Sequence, residues 1–477
     1  MATALVWLRR DLRLADNPAL SHAAAHFERV ILVYVLSLEE EAPWDPGAAS
    51  RWWLHHSLQA LGADLARRRS ALVLRRGPAL ATLKALAAET KASAVFWNRL
   101  YEPAVIARDK VLKAALTGDG LEVKSFNAAL LAEPWTVKTG QGEPYKVFTP
   151  FWRALARETE PRPLAAPELP PLQNPPPSLD VAEFGLLPRV AWYQGLEATW
   201  RPGEAGAVAR LDAFIQGPLA RYESGRNRPD QEGVSRLSPH LHFGEVSPGQ
   251  VWRAVAAAIE GDPREVPHAE AYIRELGWRE FAHHVLYYWP HTPEEPLQAR
   301  FAHYPWVEDY GSDLAAWQRG QTGIPIVDAA MIQLWQTGWM HNRLRMIVAS
   351  FLTKNLRIPW QEGTRWFWDC LVDANLASNT MGWQWTAGSG TDAAPYFRVF
   401  NPVRQGGQYD PEGAFVKRYV PALEPLPAKW IHNPWEAPGG VLVQAGVALG
   451  ETYPKPLVDL KASRQAALKG YEAIKGL

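Results

Sequence analysis

Between Glu160 and Pro177 the chain carries eight prolines, in the run PRPLAAPELPPLQNPPP. Proline fixes φ and has no backbone N–H, so neither a helix interior nor a central strand can be built from this stretch. It reads as an extended linker. The chain has 477 residues, too many for one core, and the two sides of the linker differ in character. Upstream, short apolar runs at Ala4–Leu8, Val30–Leu36, Ala71–Leu74, Ala94–Trp97 and Leu121–Phe126 alternate with helical patterns at Pro18–Glu28, Arg51–Arg68 and Pro78–Thr90. That alternation predicts a parallel, helix-flanked α/β sheet of Rossmann-like type. Downstream, helical patterns dominate: Gly249–Ile259, His268–Tyr288, Pro325–Thr337, His341–Asn355, Gln361–Leu376 and Leu460–Lys475. The expected organisation is an α/β domain over 1–130, a linker over 131–204 and an all-helical domain over 205–477.

Several classes are excluded by composition. The one cysteine, Cys370, rules out an intrachain disulfide and a multi-cysteine metal site, and suits the reducing cytoplasm. No run of eighteen apolar residues exists, so no membrane span is expected. The start of the chain, with Arg9, Arg10 and Asp11 after a strand-like run, does not resemble a secretion signal. Fifty basic residues balance fifty acidic ones, which argues against a protein that coats nucleic acid nonspecifically. A DNA enzyme with its positive charge gathered on one face stays open. The 23 tryptophans outnumber the 15 tyrosines and the 15 phenylalanines, and aromatic packing accounts for most of them.

No G-x-G-x-x-G follows the first strand, so the dinucleotide fingerprint is absent there. Arg9, Arg10 and Arg13 fall just past that strand, at the sheet end where ligands usually bind; a solvated, ion-paired loop is the other reading. The densest chemistry lies between Arg365 and Pro402, with four tryptophans, three aspartates and three asparagines. Helical spacing puts Trp366, Asp369, Asp373 and Leu376 on one side, a mixture suited to a flat, polar-edged, redox-active ligand. Gly388 to Ala393 mimics G-x-G-x-x-A, but no strand precedes it, so it signals no nucleotide fold. Ser235 and Ser238 would suit a phosphate, though N-capping is the ordinary role of such a pair. His240 and His242 have no third ligand at a useful spacing, and no metal is expected. Glu275 and Trp278 share a helix face, as a base's edge and ring face would require; an exposed Glu beside a core Trp is the alternative. Asn342, Arg345 and Met346 share another helix face, which an amphipathic helix explains equally.

The strings WLRRDLRLADNPAL, GWMHNRLRMIVASFL and GWQWTAGSGTDAAPYFRVFNP closely resemble the DNA photolyase/cryptochrome family, and the resemblance runs from Val6 to about Leu423. It implies that the helical domain binds FAD. Tyr222, Val234, Ser235, Arg236, Leu237 and Ser238 match the positions that hold its phosphates and ribose. Arg279 would touch the cofactor, Arg345 would pair with Asp373 over its ring, and Asp373, Asn375 and Asn379 would meet its polar edge. Many members carry Asp where this chain has Asn375. At Asn379, repair enzymes keep asparagine, whereas many signalling members carry an acid or Cys.

The same resemblance implies that Glu275 hydrogen-bonds the damaged pyrimidines and donates a proton. Trp278 and Trp385 would stack on the lesion, Asn342 would contact both flavin and lesion, and Met346 would pack on the lesion. Trp383, Trp360 and Trp306 match a chain of electron donors to the flavin, although each residue by itself is ordinary core. Arg226, Arg343 and Arg404 match contacts to the DNA backbone, with Lys417 and Arg418 as further candidates. Relatives that repair (6-4) photoproducts carry histidines at the positions of Asn342 and Met346, so the cyclobutane dimer is the expected substrate. The implied protein is a light-driven deoxyribodipyrimidine photo-lyase acting on UV-damaged DNA; the lone cysteine suits the cytoplasm, and nothing in the sequence demands more than a monomer. A cryptochrome-type photoreceptor and a (6-4) photolyase are the alternatives. The α/β domain would hold an antenna, methenyltetrahydrofolate or a deazaflavin; Val105 stands where folate-binding members usually carry an acid.

Overall fold

The computed structural model describes residues 2–260, 264, 266–392 and 397–477. Five strands, β1 (Thr3–Leu8), β2 (Arg29–Leu36), β3 (Leu72–Arg76), β4 (Ala94–Asn98) and β5 (Glu122–Phe126), pair in parallel in the order β3-β2-β1-β4-β5. All six residues of β1 are buried, as a strand covered on both faces requires, which is why it reads as a continuous apolar run. The helices Pro18–His26, Ala48–Arg67, Ala79–Thr90 and Pro103–Gly118 connect the strands. Leu5, Trp7, Val33, Val73, Leu86, Val95 and Trp97 form the centre of this core, each contributing about 1.5–3 kcal/mol by burial.

The proline-rich run has no helix or strand, and its leucines supply the backbone donors that its prolines lack. Leu172 N–H donates to the Arg69 carbonyl at 2.9 Å, and just past the run Leu179 N–H donates to that of Leu74 at 3.1 Å. Leu164 N–H reaches the Asp16 carboxylate at 2.9 Å, and Asp16 N–H returns a bond to the Leu164 carbonyl at 2.8 Å.

The arginines past β1 are not a solvated loop. Arg13 is 1 % exposed and donates to the carbonyls of Asp16, Gly244 and Ala128. Arg9 pairs with Asp109 at 2.8 Å and lies 4.3 Å over the Trp7 ring; Arg10 meets Glu102 at 2.8 Å. Buried arginines survive because carbonyls and carboxylates satisfy them.

The chain divides into two compact units. The first comprises Met1–Ala220, Ser235–Pro290 and Val372–Ala377; the second comprises Arg221–Val234, His291–Leu371 and Ser378–Leu477. Beside the sheet, the first contains the helices Phe148–Glu158, Pro248–Ala258 and Val266–Tyr288. The second is helical and includes Pro325–Thr337, Asn342–Ser350, Trp360–Cys370, Leu376–Ala387 and Leu460–Ile474.

Two expected helices are corrected. The segment His341–Asn355 is α-helical only to Ser350 and continues as a π-helical turn, Phe351–Asn355. The segment Gln361–Leu376 stops at Cys370, Leu371 is extended (φ −86°, ψ 132°), and a new helix starts at Leu376. Leu371, Val372 and Ala374 are all within 1 % of complete burial. Asp373 is buried with them, and four successive residues of a helix would point all round its axis, so no single helix face could bury all four. Asp373 therefore does not share a helix face with Trp366 and Asp369. Trp366 stacks on Trp335 (6.2 Å, 7°) and Asp369 is exposed, whereas Asp373 is buried. Gly388 follows a helix, not a strand, with φ +94°. The last residue of that motif, Ala393, lies outside the described residues, as do Ala394, Pro395 and Tyr396 of the longer string.

Candidate cofactor and substrate site

In the first unit the Val266–Tyr288 helix carries most of the chemistry. Glu275 and Trp278 sit one turn apart and both are half-buried. The Trp278 ring is stacked on Phe148 (3.6 Å, 8°), and Phe148 is itself fully buried, so the indole plane is fixed. Gly277 permits this approach, because a Cβ there would lie 2.3 Å from Trp152 on the same helix as Phe148. Arg279 donates to the Ala129 carbonyl at 2.7 Å and lies 3.2 Å from the Glu280 carboxylate; burial lowers its pKa.

Glu280 accepts from Leu131 N–H at 2.8 Å, yet burial pushes its carboxyl up to about 7, against Arg279 and these bonds. A carboxyl that holds its proton more tightly in the folded chain stabilises the fold below the unfolded value of about 4.5. That contribution is lost as pH rises toward 7. Glu280→Gln is therefore expected to gain on the parent by on the order of 2 kcal/mol between pH 5 and 7. Denaturant unfolding across that range measures it, and a constant difference between the two proteins would contradict it.

Ser235 Oγ accepts from Tyr272 O–H at 3.0 Å and from Leu237 N–H at 3.3 Å, while Arg236 adopts a left-handed conformation (φ +53°) and Ser238 is exposed. His240 Nδ1 donates to Glu245 at 2.5 Å; Glu245 also accepts from Trp53 and Gly203. His240 is thus committed to a carboxylate network. His283 Nε2 lies 3.3 Å from Asn375 Nδ2, and Asp373 is buried nearby in sequence. A cleft of about 410 Å³ lies elsewhere in this unit, lined by Asp16, Asn127, Leu131, Thr136, Glu160 and Ser247. Nothing in the sequence signalled it.

In the second unit, Tyr222 is buried with the half-buried Arg226 5.6 Å over its ring. The loop that ends at the half-buried Val234 is closed by two glycines: a Cβ on Gly233 would lie 2.5 Å from the Gly225 carbonyl oxygen. Asn379 Nδ2 donates to the Thr364 carbonyl at 3.1 Å, which fixes the amide's orientation. Trp383 is 2 % exposed, lies against Gly363, where a Cβ would be 2.0 Å from its ring, and meets Phe367 edge-on at 5.0 Å. Its indole N–H has no acceptor among the described residues.

Trp360 starts the helix that carries Gly363 and is also 2 % exposed. Trp306 is only half-buried and rests on Tyr304 at 4.5 Å. Its neighbour Val307 donates to the Arg357 carbonyl at 2.9 Å, three residues before Trp360. Asn342 is exposed at the start of its helix, Met346 is half-buried, and Arg345 donates to the Met340 carbonyl at 2.8 Å. Arg343 is held by Asn227 at 2.8 Å and lies 4.4 Å over the Tyr409 ring. Arg404 and Arg418 are exposed, Lys417 is half-buried, and the half-buried Trp385 donates to the Asp392 carbonyl at 3.1 Å. Sequence reasoning missed Phe148, Gly363 and His283, which act through distant partners and carry no local motif.

In the second unit the buried Trp383 indole N–H and the oriented Asn379 amide, and in the first unit the buried Asp373 and the Asn375 amide, are each groups of the kind that a flavin's polar edge requires. Residues 4–172 match the family model for DNA photolyase, and residues 272–473 match that for the FAD binding domain of DNA photolyase. The chain belongs to the DNA photolyase family, and FAD is its cofactor. The deoxyribodipyrimidine photo-lyase of Agrobacterium fabrum is 48 % identical, over 99 % of this chain and 98 % of that protein. Cryptochrome-1 of Arabidopsis thaliana is 40 % identical over 96 % of this chain, but only 69 % of that protein is covered. Among solved structures, a bacterial class III photolyase from Agrobacterium tumefaciens superposes with a TM-score of 0.96 at 46 % identity, covering 100 % of this chain and 98 % of that one. Among the described residues no helix is long and apolar enough to cross a membrane, and no cluster of His, Cys, Asp or Glu is able to hold a metal.

Proposed function

We propose that this chain is a light-driven repair enzyme that splits cyclobutane pyrimidine dimers in UV-damaged DNA. The observation that carries the reading is the Glu275–Trp278 pair on one helical turn, with the indole plane fixed by Phe148. When bound and reduced, FAD supplies the photoexcited electron that opens the cyclobutane ring and is then recovered. Trp278 and Trp385 offer ring faces on which unstacked bases rest, and Glu275 offers a carboxyl to the pyrimidine carbonyl or N–H groups. Asn342 and Met346 favour the cyclobutane dimer over the (6-4) lesion, and Asn379 favours repair over signalling.

We assign cofactor contacts to Tyr222, Val234, Ser235, Arg236, Leu237, Ser238, Arg279, Arg345, Asp373, Asn375 and Asn379. The electron path to the flavin is assigned to Trp383, Trp360 and Trp306: two buried indoles and one that reaches solvent suit a relay ending at the surface. Residues 1–130 are assigned a light-harvesting chromophore, methenyltetrahydrofolate or a deazaflavin, and absorbance of the purified protein beyond the flavin bands reads which. The enzyme is proposed to act as a cytoplasmic monomer.

Glu275→Ala tests the carrying observation. A lost hydrogen bond to a charged group costs about 1.5–3 kcal/mol, so repair yield should fall roughly tenfold to a hundredfold with FAD content unchanged. Repair equal to the parent's would remove Glu275 from the mechanism. Arg404→Ala, an exposed phosphate contact, should weaken binding to every sequence alike and flatten the slope of log K against log salt by about 0.9. A loss confined to particular sequences in a binding titration would contradict that assignment.

A further inference from the structure

The family resemblance implies an aspartate at the position of Asn375, and the structure gives this asparagine a partner suited to an amide. Its Nδ2 lies 3.3 Å from Nε2 of His283. The other ring nitrogen, Nδ1, lies 2.8 Å from the carbonyl oxygen of Arg279, a group that only accepts. Nδ1 therefore carries a hydrogen. A neutral ring then has only a lone pair at Nε2, and the bond must run from the Asn375 NH₂ to His283. Burial and the Arg279 guanidinium bring His283 down to about 4, with Arg10 acting in the same direction and Glu102 opposing. Tyr101 meets the ring edge-on at 6.5 Å, and His242, itself pushed well down by burial, adds no charge. The ring is 4 % exposed, so no bulk water competes for Nε2. The Asn375 amide is thus held with its NH₂ toward His283 and its carbonyl oxygen turned away.

We propose that His283 is a positioning residue for the cofactor: through Asn375 it presents an uncharged carbonyl oxygen to the N3–H edge of the flavin, in place of the carboxylate that many relatives use. This rests on the assignment of Asn375 to the flavin edge. A carboxylate accepts on both sides whatever faces it, whereas an amide accepts on one side only and must be oriented. His283 supplies that orientation.

The chemistry predicts an order among variants. His283→Gln preserves the pattern, because its side-chain oxygen accepts from Asn375 while its NH₂ donates to Arg279. His283→Leu leaves the amide unoriented. His283→Arg presents a donor, flips the amide and sets NH₂ against the flavin N3–H. Adding Asn375→Asp to His283→Arg restores acceptors on both sides. The dissociation constant of FAD should stay near the parent's for Gln, rise on the order of tenfold for Leu and more for Arg, and return toward the parent's in the Arg/Asp double variant. Thermal melting of each apoprotein reports on folding.

Histidine-labelled NMR of the unmodified FAD-loaded protein provides a readout that needs no variant. His283 should show the neutral Nδ1–H form from about pH 5 to 8. A protonated ring or the Nε2–H form at pH 7 would overturn the proposal. The expected tautomer together with equal FAD affinity in all variants would instead overturn the placement of Asn375 at the flavin, and the proposal with it.

Discussion

Trp383→Phe is expected to slow light-driven reduction of the bound, oxidised flavin by on the order of a hundredfold, about 3 kcal/mol of barrier. Phenylalanine fills most of the pocket that Gly363, Phe367 and Trp317 make around the indole, so FAD content should be preserved. It removes the easily oxidised ring that the proposed relay needs next to the cofactor. Protein reduced chemically beforehand bypasses the relay, and in that form the variant should repair like the parent. Stopped illumination followed by flavin absorbance measures the first effect, and repair after dithionite treatment measures the second. Unaltered photoreduction would remove Trp383 from the path. Failed repair in the chemically reduced variant would show that the substitution damages the site itself.

Gly244→Ala should have the largest effect on stability. Gly244 has φ +66°, and a Cβ there would lie 2.2 Å from the Arg10 carbonyl oxygen and 2.7 Å from the Asp11 Cα. Both obstacles are backbone, which cannot rotate away. The left-handed conformation costs about 1–2 kcal/mol and the overlap about 1–3 kcal/mol. Together these take a large part of the 5–15 kcal/mol that holds a typical domain folded. The same turn is tied to the end of β1 by Leu12 N–H to the Phe243 carbonyl and by Arg13 to the Gly244 carbonyl. Loss of soluble protein, or a fall in the denaturant midpoint matching about 2–5 kcal/mol, is the expected result; an unchanged midpoint would show that the turn yields easily.

The strands were legible because parallel strands covered on both faces must be unbroken apolar runs, and β1, β2 and β4 are. The proline run was legible because proline leaves the backbone few choices. Where reading failed, two structures shared one residue pattern. Leu371 to Asn375 has the composition of a helix turn, and only tertiary burial shows it to be an irregular crossing. Arg9, Arg10 and Arg13 look solvated in a string of letters, since nothing local reveals that distant carbonyls and carboxylates await them.

The proposed site residues came from motif strings, which indicate identity but not orientation. That Phe148 fixes Trp278, that Thr364 turns Asn379 and that His283 turns Asn375 are facts of long-range packing. They decide which atom of each side chain is left for the ligand proposed for it.

The central claim is light-dependent repair of the cyclobutane dimer. The most direct test uses an oligonucleotide with a single thymine cyclobutane dimer and purified, photoreduced protein, with matched samples in darkness and under blue light. Return of intact thymines only in the illuminated sample is the predicted result. Full FAD occupancy with no thymine recovered under light would contradict the account.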